Sequence, residues 1–520
     1  NIHFKNLKKI YKNYKNKKLI FSNMSDWNPA EMIGYNAKPL SRYLYDHLIL
    51  NKNWHTQRVQ CGYNSSSITK LSSCIGNQVY INLIKDFNSF IPSYLKKKTR
   101  EKILNYYLNK LSKNQFLHDK IENKIIFSNL NLNSNRLINK NLKKILTNNE
   151  IKKFLESLYK INCNIINLVK KNYFKLKKLN QNSIDYKKRY NNSDKISDFF
   201  KIINVTKNNF VIPFAHLARG SFVSKDIVHS FLSNNDLDKY FKSIKTISSK
   251  FRQDIYKLNK KEFLFKYGHL KPNTYNVDNF KLNYKNLKES FFNKKNIIIP
   301  KINSKKFLKK RISSHKLKKM GFKNILDLDN FVSNSTKGRE LSKFIFSRNI
   351  NIALNILKNW SYKKQINISD VNFINGKFLS QLKKNKLPQK YIMWIIKNNK
   401  KNYFLNSKLI LPDVIEKPEN IFFFKEINNT PTFIGKNLIS KTVVYSKNIR
   451  DKNIFKNKIV LIPNADPGFE FLFHIGIKGI ITKYGNPNSH MSIRCSELNI
   501  PAAIGVGSIS FNKIIKSKKV

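Results

Sequence analysis

A single histidine stands where a loop is expected to become a helix, near the end of this 520-residue chain. It is His490, in the stretch "ITKYGNPNSHMSIRCSELNIPAAIGVG". Ser489 is a good helix N-cap, because its hydroxyl can accept a hydrogen bond from a free backbone N–H two or three residues further on. We therefore predict that His490 is the first helical residue, beside unpaired N–H donors and the positive end of the helix dipole.

This position favours phosphate chemistry at His490. A helix N-terminus suits anions, phosphate in particular, and it disfavours a permanent imidazolium, so the ring should be mostly neutral at pH 7. A neutral imidazole can form a covalent phosphoryl intermediate. Arg494 and Glu497 follow on the same predicted helix face, where Arg494 would clamp the phosphoryl oxygens and Glu497 would orient it. The alternative is a surface histidine near an ordinary Arg–Glu pair.

The sequence pattern divides the chain into two regions. From about residue 39 to residue 401, apolar residues recur at helical spacing, as in "REKILNYYLNKLSKNQFLHDKIENKIIF". Beyond residue 411, short apolar runs alternate with two helical stretches, "FEFLFHIG" and "HMSIRCSEL". The runs are "KTVVYS", "KIVLIPN", "GIKGIITKYG" and "PAAIGVG". We predict a multidomain protein, with a mainly α-helical central domain followed by a small α/β domain. Poor periodicity and dense lysine predict a mobile surface segment at about 297–325.

The C-terminal motifs resemble the phosphohistidine (swivelling, or mobile) domain of phosphoenolpyruvate (PEP)-utilising enzymes. The family signature is a glycine-rich turn, Ser or Thr before His, Glu seven residues after His, and an Ile-Pro-Ala strand. Here it reads "GNPNSHMSIRCSELNIPAAIGVG". The resemblance implies that His490 is the phosphorylated residue. Many family members have Arg six residues after His, but Ser496 stands there, so a role for Arg494 is not transferred.

The upstream region resembles phosphoenolpyruvate-synthase-like proteins, including the rifampicin phosphotransferase-like group. The motifs are "SDWNPAEMIGYNAKPLSRYLYDHLI", "FAHLARGSF", "YGHLKPNTYNV" and "GRELSKFIFSRNINIAL". The resemblance implies the end of an ATP-grasp nucleotide-binding domain at 1–34, a helical acceptor domain at 35–410, a linker at 411–430 and the phosphohistidine domain at 431–520. It also implies ATP and Mg²⁺, although most of the ATP-grasp domain is expected to be absent from this chain.

Several upstream side chains are candidates for binding an anionic acceptor or a phosphate. They are Arg219, His269, Arg339, Lys343 and Arg348. Two of them, Arg339 and Lys343, would lie one turn apart on one helix face. His216 is expected instead to be a packed core residue, because it stands in an apolar stretch.

A possible metal site follows the apolar run Leu19–Phe21. Asp26 and Asn28 are two residues apart, so in an extended strand both side chains would point the same way. An acid and an amide on the last strands of an ATP-grasp domain hold Mg²⁺. The alternative is an Asx-type turn that binds no metal.

The net charge of +68, from 99 basic and 31 acidic residues, would ordinarily indicate a nucleic-acid partner. Lysine is spread through every segment together with Asn, Ile and Tyr, which is typical of an AT-rich coding sequence, so we rank specific nucleic-acid binding low. The chain has no run of about 18 apolar residues, so we predict no membrane span. We expect a cytoplasmic protein.

These observations predict a phosphotransferase. It would pass a phosphoryl group from ATP, or from PEP, through His490 to a small-molecule acceptor bound by the helical domain. The alternative is a non-catalytic carrier or regulatory protein that accepts phosphate on His490 from a separate ATP-grasp subunit.

Overall fold

The computed structural model describes residues 2–12, 20–25, 28–64, 70–271, 273–278, 284, 303–385, 387–424, 429–435, 437–444, 452–466, 469, 471–486, 489–517 and 520. The fold class predicted from the sequence is confirmed, because a long helical region is followed by a small α/β region. None of the described helices combines the length and apolarity that crossing a bilayer requires.

The helices of the first region account for most of the described chain. They are α1 (Ile2–Lys12), α2 (Pro29–Ile33), α3 (Pro39–Tyr45), α4 (Asn53–Cys61), α5 (Leu83–Asn88), α6 (Lys97–Lys113), α7 (Ile121–Lys124), α8 (Ser134–Leu142), α9 (Asn148–Tyr190), α10 (Ile196–Val205), α11 (Val211–His229), α12 (Asn234–Lys242), α13 (Ile247–Lys257), α14 (Lys260–Tyr267), α15 (Ser304–Lys309), α16 (Ser314–Lys319), α17 (Ile325–Lys363), α18 (Gly376–Lys384) and α19 (Gln389–Ser407). Two π-helical segments, Asp46–Leu50 and Thr206–Phe210, continue α3 and α10.

Three long helices, α9, α11 and α17, form the centre of the helical region. Helix α9 begins with a capping box, in which Thr147 and Glu150 each satisfy a backbone N–H of the other. The helices cross closely at two glycines. A Cβ atom on Gly220 of α11 would lie 2.2 Å from Cγ2 of Val169 on α9, and one on Gly338 of α17 would lie 2.7 Å from Leu217. Glycine therefore sets the distance between these helices.

A small antiparallel sheet packs beside the helices. It consists of β1 (Phe21–Ser22), β2 (Ser72–Ile75), β3 (Gln78–Asn82) and β4 (Val414–Ile415) in the order β2-β3-β1-β4. Ile20 and Phe21 are buried, as expected for an apolar strand. Because β4 pairs with β1, the start of the proposed linker is a strand of this sheet. The proposed domain boundaries remain predictions.

The lysine-rich segment before α17 is not a surface segment in its described part. Five apolar side chains between α15 and the start of α17 are buried, namely Leu308, Ile312, Leu317, Met320 and Phe322. They join the main apolar core, while the lysines between them remain outside. The prediction is therefore wrong for residues 303–325, and residues 297–302 lie outside the described chain. The periodicity was hidden because the two helices are only six residues long each.

The α/β region has one five-stranded sheet. Its strands are β5 (Thr432–Ile434), β6 (Thr442–Val444), β7 (Ile459–Asn464), β8 (Gly479–Tyr484) and β9 (Ala502–Ile504), in the order β5-β9-β8-β7-β6. Strands β6 to β9 are parallel, and β5 is antiparallel to β9. The helices are α20 (Leu472–Ile475), α21 (His490–Leu498) and α22 (Gly507–Ile515). The carboxyl ends of the parallel strands share one edge, where ligands of α/β sheets usually bind.

The α/β region contacts the helical region through that edge. Asn464 donates to the carbonyl of Glu31 at 2.6 Å, and Asp466 accepts from the backbone N–H of Asn273 at 3.0 Å. Tyr484 stacks on Tyr35 with ring centroids 5.5 Å apart. Buried apolar residues of both regions also belong to one continuous cluster. The contact is thus both polar and apolar, and any swing of the α/β region must break it.

The close crossing at Gly220 generates a stability prediction. Gly to Ala inside a helix normally stabilises by about 1 kcal/mol, but here the added Cβ would overlap the stiff side chain of Val169. We expect Gly220→Ala to lower the free energy of unfolding by about 1–3 kcal/mol, measured by urea denaturation. Val169→Ala in the same chain should recover much of the loss. Lys170→Ala, at an exposed position beside Val169, serves as a neutral control. A stabilising Gly220→Ala would show that the helices separate easily.

His216 on α11 generates a pH prediction. It is buried, as expected from its apolar stretch, and Asn172 donates to its Nδ1 at 3.1 Å. Burial, helped by the charges of Lys175 and Lys171, lowers the pKa of His216 to about 4.

The unfolded chain therefore binds a proton at this group more readily than the folded chain. The neutral ring of His216 thus stabilises the folded chain fully above about pH 6.5, and this contribution is lost as the pH falls towards 4. Between pH 7.5 and 4.5 the free energy of unfolding should fall by about 2–3 kcal/mol more in the native sequence than in His216→Gln. Urea denaturation at the two pH values measures this difference, and equal pH slopes would contradict the assignment.

Candidate functional site

The turn from β8 into α21 has the predicted N-cap. Helix α21 begins at His490, and the hydroxyl of Ser489 accepts from the backbone N–H of Ser492 at 3.1 Å. Ser489 itself has an extended backbone, which is typical of an N-cap residue. The sequence-based placement of His490 at a helix start is therefore confirmed. The side chains of His490 and Glu497 lie outside the described part of the structure.

Helix α21 is held by its apolar face. Met491 and Cys495 are fully buried against the sheet, and burial raises the pKa of the Cys495 thiol to about 12. A thiol with so high a pKa stays protonated and inert. Arg494, the candidate clamp, is also buried, with 5% of its surface exposed. Packing therefore fixes the helix while its N-terminal end remains at the sheet edge.

A cavity of about 120 Å³ lies between this helix start and the helical region, and we call it the cationic cavity. Ser489 and Asn486 line it from the α/β region. Its charged lining residues are Arg58, Arg219, Arg339, Lys343, Glu31 and Glu122. Four cations against two carboxylates give an excess of positive charge in a confined space. Such a lining favours an anionic group, because nearby charges interact strongly where water is largely excluded.

Arg219 is held rigidly in this lining. Its guanidinium is 3% exposed, pairs with Glu122 and donates to the hydroxyl of Ser128 at 2.6 Å. Arg58 and Arg219 both lie over the ring of Phe90, at 3.9 and 5.3 Å from its centroid. Cation–π contacts and a carboxylate partner offset the cost of burying two guanidinium groups close together.

Arg339 and Lys343 lie one turn apart on α17 and face the same cavity, as predicted. Arg339 pairs with Glu340 at 3.8 Å and lies over the ring of Phe222. Burial lowers the pKa of Lys343, and the charge of Arg339 lowers it further, while Glu340 opposes both. Because neighbouring charges shift the pKa of Lys343, an anion placed next to this side chain would shift it as well.

A second cavity, of about 80 Å³, adjoins the first and shares Met32, Phe214 and Lys343 with it. We call it the apolar cavity, because aromatic and aliphatic side chains form most of its wall. His269 and Tyr275 line it from the helical region, and Asp466 lines it from the loop after β7. His269 is 2% exposed and its Nε2 donates to the carbonyl of Phe344 at 3.0 Å.

The remaining candidates lie elsewhere. Arg348 lines neither cavity; it donates to the side chain of Asn180 at 3.0 Å and lies over Phe344. Asn28 lines the cationic cavity, but strand β1 ends at Ser22 and the backbone of Asn28 is left-handed, with φ of 37°. The extended geometry assumed for the Asp26/Asn28 pair is therefore wrong at Asn28, and a turn is present there. Asp26 lies outside the described residues.

The predicted Mg²⁺ site at Asp26 and Asn28 stays a prediction, because Asp26 lies outside the described residues. No group of three or more His, Cys, Asp or Glu side chains that could hold a metal ion occurs in the described ranges. Of the two carboxylates of the cationic cavity, Glu122 is paired with Arg219.

Sequence reasoning missed several cavity residues. Arg58 and Glu122 come from segments far apart in the chain, with no motif around them. Glu31 stands inside "SDWNPAEMIGYNAKPLSRYLYDHLI" and Tyr275 inside "YGHLKPNTYNV", whereas Asp466 follows the apolar run "KIVLIPN" after one intervening residue. A polar residue a few positions from a candidate histidine was the available signal for Tyr275.

Two comparisons with known proteins agree with this geometry. Residues 454–519 match the family model described as "PEP-utilising enzyme, mobile domain". The chain is also 30% identical over 157 residues to a rifampicin phosphotransferase from Bacillus cereus. That match covers 29% of this chain and 17% of the relative's length. The chain therefore has, at its C-terminal end, a mobile domain of the PEP-utilising enzyme family.

Proposed function

We propose that this chain is a phosphotransferase in which His490 passes a phosphoryl group to an acceptor bound between the α/β and helical regions. The observation that carries the proposal is the position of the Ser489–His490 junction. Ser489 lines the cationic cavity together with Arg219, Arg339 and Lys343. A helix start and a cluster of cations at one place, of which the two arginines are buried, suit a group that carries negative charge.

The transfer step needs few protein groups. The bond between phosphorus and the imidazole nitrogen breaks as the acceptor hydroxyl oxygen bonds to phosphorus, and the leaving imidazole takes up the hydroxyl proton. The charge on the equatorial oxygens is stabilised by fixed cations rather than by covalent chemistry. Arg219 and Arg339 are suited to this role because their partners hold them in place before any ligand arrives.

The phosphoryl donor is proposed to act in a different arrangement of the α/β region. ATP with Mg²⁺ would be handled by an ATP-grasp domain or subunit, and PEP is the other candidate donor. The cationic cavity, which is lined by residues of the helical region, favours the phosphotransferase over a pure carrier protein. A carrier does not need an acceptor site in its own helical region.

The nucleophile can be tested without knowing the acceptor. The chain should gain acid-labile, base-stable phosphate when given ATP, Mg²⁺ and a competent ATP-grasp partner, or when treated with phosphoramidate as a chemical donor. That stability pattern is typical of a phosphorus–nitrogen bond. We expect His490→Ala to lose this label, located by mass spectrometry under neutral conditions. ATP labelled at the β- and γ-phosphates in separate runs identifies the phosphate transferred.

Histidine elsewhere provides the control. His315→Ala changes a position in the short helix α16 that lines neither cavity, and it should label normally. A His490→Ala chain that still labels at the native level would rule out His490 as the nucleophile. A chain that labels at His490 but never loses the label to any added alcohol would favour the carrier alternative.

Arg494 is proposed as the phosphate clamp. We expect Arg494→Ala to slow labelling by roughly ten- to a hundredfold, because a hydrogen bond to a charged group contributes about 1.5–3 kcal/mol. Arg494→Lys should recover part of the rate. Since Arg494 is buried, thermal unfolding of each variant must accompany the rates. Arg311→Ala, which removes a partly exposed arginine paired with Asp236, is the matched control. Native labelling rates in folded Arg494→Ala would exclude the clamp.

A further inference from the structure

The apolar cavity contains two buried polar atoms with no hydrogen-bond partner among the described residues. They are Nδ1 of His269 and the hydroxyl oxygen of Tyr275, whose side chains are 2% and 3% exposed. Leaving such an atom unsatisfied costs about 1–3 kcal/mol. Buried polar atoms in native structures are usually bonded to protein groups, to water or to a ligand. Here two of them line one small cavity.

The hydrogen-bonding roles of the two atoms can be assigned. The Nε2 of His269 donates to the carbonyl of Phe344, so a neutral ring has an unprotonated Nδ1 that can only accept. Burial and the charges of Arg348 and Lys187 hold the pKa of His269 well below its ordinary value. Burial and the charge of Asp466 raise the pKa of Tyr275, which keeps its proton. One atom therefore accepts, and the other donates or accepts.

A hydroxyl group satisfies both atoms at once, because it donates to Nδ1 while accepting from the tyrosine. A carboxylate or a fully ionised phosphate has no hydrogen to donate to Nδ1. Most of the remaining wall is apolar and includes the rings of Phe251, Phe344 and Tyr267. Four charged residues also line the cavity, namely Lys271, Lys343, Glu340 and Asp466. A water needs roughly 10–15 Å³ of such space, so about 80 Å³ is room for one small ring.

We infer that the apolar cavity binds an aromatic hydroxy compound, with its ring in the apolar wall and a hydroxyl group between His269 and Tyr275. The inference rests on the proposed function only in treating this compound as the body of the acceptor. Lys343 lines both cavities. A second hydroxyl at the opposite end of the compound would thus reach the cationic cavity, where phosphoryl transfer is proposed.

The test compares two probes that differ by one hydroxyl, 4-methylphenol and toluene. Titration calorimetry on the full chain should show roughly tenfold tighter binding of 4-methylphenol, since the cavity has two atoms waiting for a hydroxyl. Tyr275→Phe removes only an oxygen that no described residue bonds, so the variant should fold normally. We expect it to retain toluene binding and to lose most of the preference for 4-methylphenol.

Tyr240→Phe is the matched control, because Tyr240 is buried, does not line the apolar cavity and donates to Asp329 at 2.7 Å. It should keep the full preference. In the native chain labelled with ¹⁵N-histidine, the Nδ1 signal of His269 should move towards lower frequency when 4-methylphenol is added and stay in place with toluene.

Equal binding of both probes to the native chain would overturn the inference, as would an unchanged preference in Tyr275→Phe. Water held by the two atoms, without ligand selectivity, would be the explanation in that case. These measurements do not depend on phosphorylation. Selective binding with no label at His490 would refute the proposed function alone, and labelling without selective binding would refute this inference alone.

Discussion

The close crossing of three helices fixes the site. Gly220 lets α11 approach α9, and Gly338 lets α17 approach α11. Each glycine is the sequence neighbour of a cavity arginine, Arg219 in one case and Arg339 in the other. Because both helix contacts are sterically tight, the two guanidinium groups are held at a fixed separation. Catalytic electrostatics depend on charges that need not move when the ligand arrives, so the packing of the helical core is part of the chemistry.

In the α/β region, the residues that line the two cavities are positioned by one edge of the sheet. Strands β7 and β8 are parallel neighbours, so the loops that follow them leave from the same edge. The loop after β7 brings Asp466 to the apolar cavity, and the loop after β8 brings Ser489 to the cationic cavity. One docking of this region therefore completes both cavities. Its hydrogen bonds to Glu31 and Asn273 use loop and helix-end backbone atoms, which set position without requiring particular side chains on the helical side.

Local chemistry was predictable from the sequence, and assembly was not. The cap at Ser489 follows from one hydroxyl and its next three residues, and the shared face of Arg339 and Lys343 follows from helical spacing. The extended geometry predicted for Asn28 was wrong, because the strand before it ends at Ser22 and the backbone of Asn28 itself is left-handed. Glu122 is 97 residues from its partner Arg219. No local pattern relates two positions so far apart, since only the tertiary fold brings them together.

In the described part of this lysine-rich chain, the buried basic side chains are arginines, and most of them lie at the candidate site. In the described ranges, the basic side chains classed as buried are arginines and include no lysine: Arg58, Arg219, Arg339, Arg348 and Arg494. At a solvated surface position a positive charge alone is enough, and lysine provides it as well as arginine does. A buried, bonded or stacked guanidinium cannot be exchanged in this way, because lysine lacks its planar set of donors. Three of the five, Arg58, Arg219 and Arg339, line the cationic cavity. The net charge of the chain thus reflects its surface, whereas the buried arginines lie at positions where the geometry of the guanidinium group matters.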